Sequence, residues 1–339
     1  MASNKPTLQD IADKAKVSRM TVSRVFSEKN NVSKETTEKI KKIAKKIGYH
    51  PNLIARSLSN RKSKTIGVFV PKTRHLFLDI YITQILSGIS DVTQEFDYRL
   101  MLFPIDYKKE KSDLYLSIAM SHLVDGIILI KTKVNDKGLE ELKKIKFPFV
   151  LVNHRDNTYN FVDTSNEKGA KLAIEYLYKL GHRKIAFVAG SMDETNAIDR
   201  LNSYKKTLKY FGLPYRKEWI IYGEFSKEKA YEASIELFNS KNLPTAIFCS
   251  DDYMAIGVME RIKNVGLSVP KDISIIGFDD IEISSYIKPS LTTVRQPMSM
   301  IGEKSAELLF DLINKKRTPP IHEFLDVELK IRRSTSKPK

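Results

Sequence analysis

From residue 65 onward, apolar runs alternate with amphipathic helical segments, and this alternation restricts the fold more than any other feature. The apolar runs include TIGVFV (65–70), KIAFVAG (184–190) and SIIGFDD (274–280), and helical segments such as YITQILSGISDVTQEF (81–96) separate them. Continuous apolar strands that alternate with helices are typical of parallel sheets covered by helices on both faces. Two sets of such strands predict an α/β core of two doubly wound parallel-sheet subdomains.

The connection between the two predicted subdomains lies near residues 163–166, where the first set of strands ends. Two late segments, LTTVRQP (291–297) and FLDVELKIRR (324–333), are predicted to return the chain and complete the sheets. We expect the chain to return to the first subdomain near 291–297.

Ligands of parallel sheets bind beyond the carboxyl ends of the strands, so the residues that follow each strand are candidates for a binding site. Such residues, with one residue of the next helix, are Phe225, Asp251, Asp252, Asp279, Asp280 and Arg200. Carboxylates and an arginine can hold the hydroxyls of a sugar, and an aromatic ring can cover its apolar face. We therefore predict Arg200, Phe225, Asp251 and Asp279 as ligand-binding residues.

Several of the six candidates have a structural alternative. Asp252 and Asp280 could simply cap helices. Arg200 could lie on a solvated helix face, and Phe225 could belong to the core.

Several classes of protein are disfavoured by the motifs that the sequence lacks. No apolar run approaches the ~20 residues of a membrane span, and the polar residues 1–6 do not resemble a signal peptide. No phosphate loop, metal-ligand spacing or nucleophile elbow is present, and the single cysteine, Cys249, excludes an intramolecular disulfide framework. We expect a cytoplasmic protein that is not an enzyme, with no cofactor, no metal, no catalytic residue and no membrane partner.

The positive charge is concentrated at the N-terminus. The whole chain has 57 Lys and Arg against 41 Asp and Glu, and residues 1–65 alone have 16 against 5. A basic segment beside a nearly balanced core indicates a polyanionic partner for the segment.

Residues 7–48 contain three short amphipathic segments. Thr7 can cap the first together with Asp10, Ser18 can cap the second, and Ser33 can cap the third, which Gly48 ends. Two short helices joined by a tight turn, followed by a third helix, predict a helix-turn-helix domain.

The second segment, residues 18–26, would be the helix that enters a major groove. Val22 and Val25 mark its buried side. The residues left exposed to read DNA are Arg19, Met20, Ser23 and Arg24.

The segments DIADKAKVSRMTVSRVFSEKNNVSKET (10–36) and KIGYHPNLIARSL (46–58) resemble the DNA-binding headpiece of the LacI/GalR family of bacterial repressors. The alternating core is similar to the periplasmic-binding-protein-like core of the same family, so the resemblance covers nearly the whole chain. One departure is Lys16, where the family commonly has glycine. If helix one ends there in a left-handed residue, lysine costs on the order of 1 kcal/mol.

The resemblance implies that Arg19 and Met20 read bases and that Arg24 contacts DNA beside them. Arg19 could donate to guanine, whereas Met20 offers only apolar contact. The other implied DNA-binding residues are Thr7, Ser18, Thr21, Ser23, Asn31, Ser33, Asn52, Ala55, Arg56 and Leu58.

The resemblance also bears on the ligand, or effector, site. It supports Arg200, Phe225, Asp251 and Asp279 at matching positions. The segment HLFLDIYITQILSGI (75–89) resembles the ligand-facing loop and helix start of the family, which adds Asp79 and Tyr81.

PNLIARSLSNRKSK (51–64) is predicted as a hinge helix and linker. A helix of two turns is too short to be stable alone. The resemblance implies that it forms on operator DNA and that Leu58 wedges into the minor groove; the alternative is a plain linker in which Leu58 has no role. The predicted domains are therefore residues 1–50, 51–64 and 65–339.

These features predict a sequence-specific DNA-binding transcriptional regulator: a repressor of carbohydrate-utilisation genes, released from its operator by a small sugar or sugar derivative. The alternative within the family is a corepressor-activated regulator that responds to a non-sugar metabolite or a protein signal. An α/β enzyme lacks support from any catalytic constellation. A solute-binding protein of a transporter would leave the headpiece unexplained.

One recognition helix reads only a few base pairs, so we expect a homodimer on near-palindromic double-stranded operator DNA. The chain ends in KIRRSTSKPK without leucine heptads, which disfavours a helical tetramerisation segment. We expect the subunit contact to come from the core, near residues 85–92 and near Ile262.

Overall fold

The computed structural model describes residues 6–26, 32–49, 62–72, 76–106, 113–240 and 242–339. The chain divides into two compact units, the first formed by Met1–Thr65 with Ser117–Asp125 and the second by Ile66–Leu116 with Gly126–Lys339. Among the described residues, no helix has the length and apolar character needed to cross a membrane.

The helices occur throughout the chain. They are α1 (Leu8–Ala15), α2 (Arg19–Phe26), α3 (Lys34–Lys46), α4 (Ile80–Glu95), α5 (Asp113–Met120), α6 (Lys137–Lys144), α7 (Asn166–Leu180), α8 (Thr195–Tyr210), α9 (Lys227–Asn239), α10 (Asp252–Asn264), α11 (Ile283–Tyr286) and α12 (Met298–Ile313). The strands begin after α3. They are β1 (Thr65–Pro71), β2 (Arg99–Ile105), β3 (Gly126–Ile130), β4 (Phe149–Val152), β5 (Phe161–Thr164), β6 (Ile185–Ala189), β7 (Ile220–Tyr222), β8 (Ala246–Cys249), β9 (Ser274–Asp279), β10 (Thr292–Arg295), β11 (His322–Leu325) and β12 (Glu328–Lys330).

The helices α1 to α3 pack around a small apolar cluster that includes Ile11, Val22, Val25 and Ile40. A capping box begins α1: the backbone N–H of Thr7 donates to Asp10 Oδ2 over 2.7 Å, and the Thr7 hydroxyl oxygen accepts from the Asp10 backbone N–H. The predicted capping arrangement is confirmed.

The turn between α1 and α2 requires a left-handed residue, and that residue is lysine. Lys16 has φ 57° and ψ 47°, and its backbone N–H satisfies carbonyls at the end of α1. A Cβ in this conformation is crowded by the following carbonyl, which costs on the order of 1 kcal/mol relative to glycine. The tight helix-turn-helix connection is kept despite this cost.

The larger unit contains two sheets of six strands, in the orders β11-β5-β4-β3-β1-β2 and β12-β10-β9-β8-β6-β7. The pairs β1–β3, β3–β4, β4–β5 and β5–β11 are parallel, as are β6–β7, β6–β8, β8–β9 and β9–β10; β12 runs antiparallel to β10. Helices cover both sheets, and the first and second sheets define the first and second subdomains. The predicted α/β class is confirmed.

Two strands differ from what the apolar runs of the sequence favour. β5 was not predicted, because four residues (FVDT) give too short an apolar run to stand out. The apolar run WIIYGEF (219–225) favours a longer strand than β7, which ends at Tyr222 because Glu224 and Phe225 have φ of 50° and 56°. The resulting turn places Phe225 beyond the strand, where it can contribute to a site.

The chain passes between the subdomains three times. It crosses from β5 to α7 through Ser165, from β10 to α12 through Gln296 and Pro297, and from β11 to β12 through Asp326 and Val327. Each sheet is therefore completed by residues from the last part of the sequence.

Two glycines bring α4 and α12 into close contact. A Cβ on Gly88 would lie well under 3.0 Å from the Ser299 carbonyl oxygen, and a Cβ on Gly302 would lie equally close to the Ile85 carbonyl oxygen. The neighbouring Ile85, Ile89 and Val92 are buried in the core of the first subdomain. These side chains, and the fully buried Ile262, are therefore not available for the subunit contact expected near them.

The C-terminal residues form part of the second subdomain. The Ile275 backbone N–H donates to the Ser334 carbonyl over 2.8 Å, and the Ser336 N–H donates to Ser274 Oγ over 3.0 Å. Buried His182 also contacts the Ser336 carbonyl through Nε2, at 2.9 Å. These contacts tie residues 334–336 to β9 and to the segment before β6.

Candidate functional site

The second helix presents a polar and charged face. Its start is capped by Ser18, whose Oγ accepts from the Thr21 N–H over 3.0 Å, while Val22 and Val25 face the small core. Arg19 and Arg24 are exposed, and Met20 is 63% exposed. A long apolar side chain held in water beside arginines is available to contact a base edge in a major groove.

The other predicted DNA contacts are helix caps, the half-buried Thr21 and Ser23 of α2, and residues outside the described part of the chain. Thr7 and Ser33 cap α1 and α3, so their hydroxyls order the helix starts. Ser23 is half-buried on α2. The contacts predicted at Asn31, Asn52, Ala55, Arg56 and Leu58 lie outside the described residues and stay predictions.

A second candidate site lies between the two subdomains, where the carboxyl ends of their strands meet. We call it the interdomain site. Its polar and aromatic residues are Asp79, Tyr81, Lys131, Asn153, Asp163, Glu194, Arg200, Phe225, Ser250, Asp251 and Asp279. All six predicted effector-binding residues belong to this set.

Lys131 connects the two halves of the interdomain site. It follows β3 with φ 57°, and its Nζ lies 4.6 Å from the ring centroid of Tyr81 on α4 and 5.4 Å from that of Phe225 after β7. An ammonium group within about 6 Å of a ring face is attracted by the ring quadrupole. Burial lowers the pKa of Lys131, but the carboxylates of Asp79, Glu194, Asp279 and Asp251 outweigh it, so the pKa is raised overall.

Arg200 is a buried anchor of the site rather than a residue of a solvated helix face. Its side chain is 2% exposed and lies over the Phe278 ring, 3.6 Å from guanidinium carbon to ring centroid. Its Nε donates to Asn166 Oδ1 over 2.8 Å, and one terminal nitrogen donates to the Ser250 carbonyl. Since Asn166 begins α7, Arg200 holds the first chain crossing against the end of β8.

The carboxyl groups around Arg200 are perturbed by burial. Asp279 ends β9 with φ 119° and lies 4.0 Å from Arg200, and its Oδ1 accepts from Gln296 Nε2 over 2.6 Å. Burial raises the pKa of Asp279 to about 7, although the Arg200 charge lowers it. Asp251 caps α10 through the Met254 N–H at 2.6 Å, and burial raises its pKa to about 6. Both carboxyl groups are therefore partly protonated near neutral pH.

Five side chains of the interdomain site hold buried polar atoms that make no hydrogen bond to any described residue. These atoms are Tyr81 OH, both amide atoms of Asn153, Asp163 Oδ2, Glu194 Oε2 and Ser250 Oγ. Buried polar atoms are nearly always hydrogen-bonded in folded proteins, so a concentration of exceptions at one place indicates a position where a polar ligand or water binds.

Asp79 and Tyr81 contribute from the start of α4. Asp79 caps this helix, its Oδ1 accepting from the Ile82 N–H over 3.2 Å. Tyr81 is 5% exposed, and burial followed by the Asp279 and Asp163 charges raises the pKa of its hydroxyl. The tyrosine is therefore neutral at physiological pH and can donate as well as accept.

Sequence analysis left structural alternatives for Phe225, Asp252 and Asp280. Phe225 is partly buried against the core of the second subdomain, so close to Gly190 that a Cβ there would overlap its ring. Lys131 Nζ lies 5.4 Å from the centroid of the same ring, so Phe225 also belongs to the site. Asp252 is structural: it accepts from the Ile281 N–H and the Ser284 and Thr293 hydroxyls. Asp280 is also structural, because it pairs with Arg295 and Arg332.

Sequence reasoning missed Glu194, which lies just before α8, and it also missed four residues at the ends of strands: Lys131, Asn153, Asp163 and Ser250. The signal that could have found them is the rule already applied to the second sheet. Lys131 and Asn153 directly follow β3 and β4, Ser250 directly follows β8, and Asp163 is the penultimate residue of β5.

Comparison with known proteins identifies the family of the chain. Residues 7–52 match the family model for bacterial regulatory proteins of the lacI family, and residues 174–335 match a periplasmic binding protein-like domain. Catabolite control protein A of Priestia megaterium is 35% identical over 332 residues, which cover 97% of this chain and 99% of the relative.

Two solved structures extend the similarity to the fold. A lac repressor dimer bound to operator and the anti-inducer ONPF has a TM-score of 0.86 at 28% identity, covering 98% of this chain and all of the other. A complex of the transcriptional regulator CelR with cellobiose has a TM-score of 0.75 at 28% identity, covering 97% and 100%. The chain belongs to the LacI family of DNA-binding transcriptional regulators.

Proposed function

We propose that the chain is a cytoplasmic repressor that binds a near-palindromic operator as a homodimer and is released from it by a small saccharide. The observation that carries the saccharide assignment is the group of buried polar atoms without partners in the interdomain site. It includes acceptors on Asp163 and Glu194, the donor and acceptor of the Asn153 amide, and the hydroxyls of Tyr81 and Ser250.

A sugar suits this mixture because each of its hydroxyls both donates and accepts a hydrogen bond. Carboxylate oxygens need donors, whereas amide N–H and tyrosine O–H groups need acceptors. The rings of Tyr81 and Phe225 provide flat apolar surfaces beside these groups, which suit the C–H face of a pyranose. The cellobiose complex of the CelR regulator, whose fold is similar, supports the same class of ligand.

The homodimer is proposed because the DNA-contacting surface of one headpiece is small. One α2 helix with Arg19, Met20 and Arg24 on its exposed face can contact only a few base pairs. Two headpieces on a symmetric site double the number of contacts and the selectivity. The operator-bound lac repressor dimer, which has a similar fold, supports this arrangement. Light scattering at micromolar concentration should give about twice the chain mass of 38.9 kDa.

The proposal is tested by a gel shift on an operator selected from random DNA with the purified chain. We expect a neutral mono- or disaccharide to release the complex, because it fits the interdomain site in a closed arrangement that DNA binding disfavours. Purine nucleosides and sugars are compared on the same complex. A ligand that strengthens the complex would identify a corepressor-activated regulator, and release by purines alone would exclude the sugar assignment.

Two variants separate effector binding from DNA binding. Asp279→Asn should abolish the response to the sugar and leave operator affinity intact, because Asp279 lies in the core and not in the headpiece. Glu236→Gln, on the exposed face of α9, is the matched control and should respond like the wild type. Loss of DNA binding by a cooperatively folded Asp279→Asn protein would contradict the division of roles between headpiece and core.

A further inference from the structure

The interdomain site carries an excess of carboxyl groups over cations, and this excess bears on which sugars it can accept. Building on the proposed function, we propose that the site selects an uncharged or cationic hydroxyl-rich ligand, that it rejects anionic derivatives such as sugar phosphates and uronates, and that Lys131 sets this selectivity.

The charges within the site are unequal in number. Its carboxyl groups belong to Asp79, Asp163, Glu194, Asp251 and Asp279. Its cations within the described residues are Lys131 and Arg200, together with Lys133, whose Nζ pairs with Glu194 Oε1 at 3.0 Å. Four of the five carboxylates act on the same ammonium group, that of Lys131. An anion drawn to Lys131 would therefore approach four carboxyl groups, and those that are ionised would repel it, which disfavours binding.

Each of these cations already has partners inside the protein. Arg200 is held by Asn166, by the Ser250 carbonyl and by the face of the Phe278 ring, with Asp279 beside it. Lys131 lies between rings from both subdomains. A phosphate would have to draw one of these groups away from its present contacts, whereas a neutral sugar needs no cation as a partner.

The hydrogen-bonding groups point to the same class of ligand. Asp163 Oδ2 and Glu194 Oε2 are buried oxygens without a partner, and a carboxylate oxygen can only accept whenever its group is ionised. Sugar hydroxyls and a sugar ammonium supply donors to these oxygens. A carboxylate or phosphate dianion supplies only further acceptors, so its charged end could pair with one of these oxygens only if that carboxyl group were protonated.

Lys131 sets the charge balance of the site because contacts with two aromatic rings hold its ammonium group. Both of its ring contacts are non-directional, and its neighbours Asp79 and Asp251 are themselves fixed as helix caps. Replacing Lys131 with glutamine removes a positive charge from among the carboxyl groups of the site. The preference of the site should then move toward cationic ligands.

The experiment is isothermal titration of the full chain, at fixed ionic strength, with matched pairs of neutral and phosphorylated ligands. The pairs are glucose with glucose 6-phosphate, ribose with ribose 5-phosphate, and adenosine with adenosine 5′-monophosphate; glucosamine, glucuronate and cellobiose complete the panel. Inorganic phosphate measures anion binding by the basic headpiece. In every pair that binds, we expect the neutral member to bind at least about 10-fold more tightly than the anion.

The Lys131 variants test its role through a ratio of affinities rather than through affinity alone. Lys131→Gln should raise the preference for glucosamine over glucose by about 10-fold, and Lys131→Arg should restore the wild-type ratio. Lys304→Gln removes an exposed lysine on α12 that pairs with Glu307, and it should leave the ratio unchanged. An unchanged ratio in a folded Lys131→Gln protein would show that Lys131 does not set the selectivity.

The outcomes distinguish this proposal from the proposed function. A phosphorylated sugar or nucleotide that binds as tightly as its neutral partner overturns the charge selectivity, whichever ligand class is bound. Binding of adenosine but of no saccharide keeps the charge selectivity and removes the sugar assignment. A panel in which no member binds overturns both.

Discussion

Asp163 offers a test of how strongly burial acts on the carboxyl groups of the interdomain site. It lies in β5 at 1% exposure, and its Oδ1 accepts from the Thr164 N–H and from Asn166 Nδ2, while Oδ2 makes no hydrogen bond to a described residue. Burial raises the pKa of Asp163 from 3.8 to about 7. We predict that Asp163→Asn makes the core more stable at alkaline pH.

The sign and size of the stability change follow from the linkage between proton binding and folding. Because the native pKa is above the unfolded one, the native state keeps a proton between pH 3.8 and about 7 that the unfolded state releases. The free energy of unfolding therefore falls as pH rises through this range. At about 1.36 kcal/mol per pH unit the full range is worth about 4 kcal/mol, of which about 2 kcal/mol lies between pH 5.5 and pH 8. Asparagine has no proton to lose, so the variant should gain about 2 kcal/mol over the wild type between these pH values.

Urea unfolding at pH 5.5 and pH 8 measures the difference, with tryptophan fluorescence as the signal. Trp219 is the sole tryptophan and is 1% exposed in the second subdomain, so its fluorescence reports on the core and not on the headpiece. Asp91→Asn, at an exposed position of α4, is the control and should keep the wild-type pH dependence. If Asp163→Asn and the wild type lost stability equally between the two pH values, the reasoning from burial would be refuted.

Four further substitutions test other parts of the chain. Lys16→Gly should stabilise the headpiece by about 1 kcal/mol, since glycine adopts positive φ without strain; a lower midpoint of its thermal unfolding by circular dichroism would contradict this. Gly302→Ala should cost the core about 1–3 kcal/mol by forcing α12 away from α4, and urea unfolding should show a lower midpoint with an unchanged slope. Arg200→Met should cost about 3–5 kcal/mol because it leaves buried carboxylates without their cation; a variant as stable as the wild type in urea would show that Arg200 is not an anchor. Leu58→Ala should weaken operator affinity in a gel shift and leave core unfolding unchanged, and wild-type binding by this variant would show that the hinge assignment is wrong.

The sequence predicts the architecture well because the relevant signals are local. Apolar strand runs, helix caps such as Thr7 with Asp10, and the spacing of Val22 and Val25 are each set by neighbouring residues. β5 escaped detection because pairing with β4 and β11, rather than its own four residues, makes it a strand.

The interdomain site could be predicted only in part, because its chemistry depends on long-range contacts. Asp251 and Asp252 are adjacent and chemically identical, yet Asp252 turns into the core to bind Ser284 and Thr293 while Asp251 faces the charges of Lys131 and Arg200. Whether an arginine on a helix is exposed depends on what packs over it. For Arg200 that is Phe278, distant in the sequence, and no local pattern encodes it.

The three chain crossings have a consequence for the order in which the protein is made. The first sheet needs α12 and β11, and the second needs β12 and residues 334–336, so neither can be completed until the last part of the chain has been synthesised. The headpiece helices end at Lys46. At roughly 5–20 residues per second, a ribosome needs roughly 15–60 s to make the residues that follow. During that time the nascent chain has the segment that reads DNA but not the subdomains that respond to a ligand, so premature termination of translation would leave a headpiece that no effector can control.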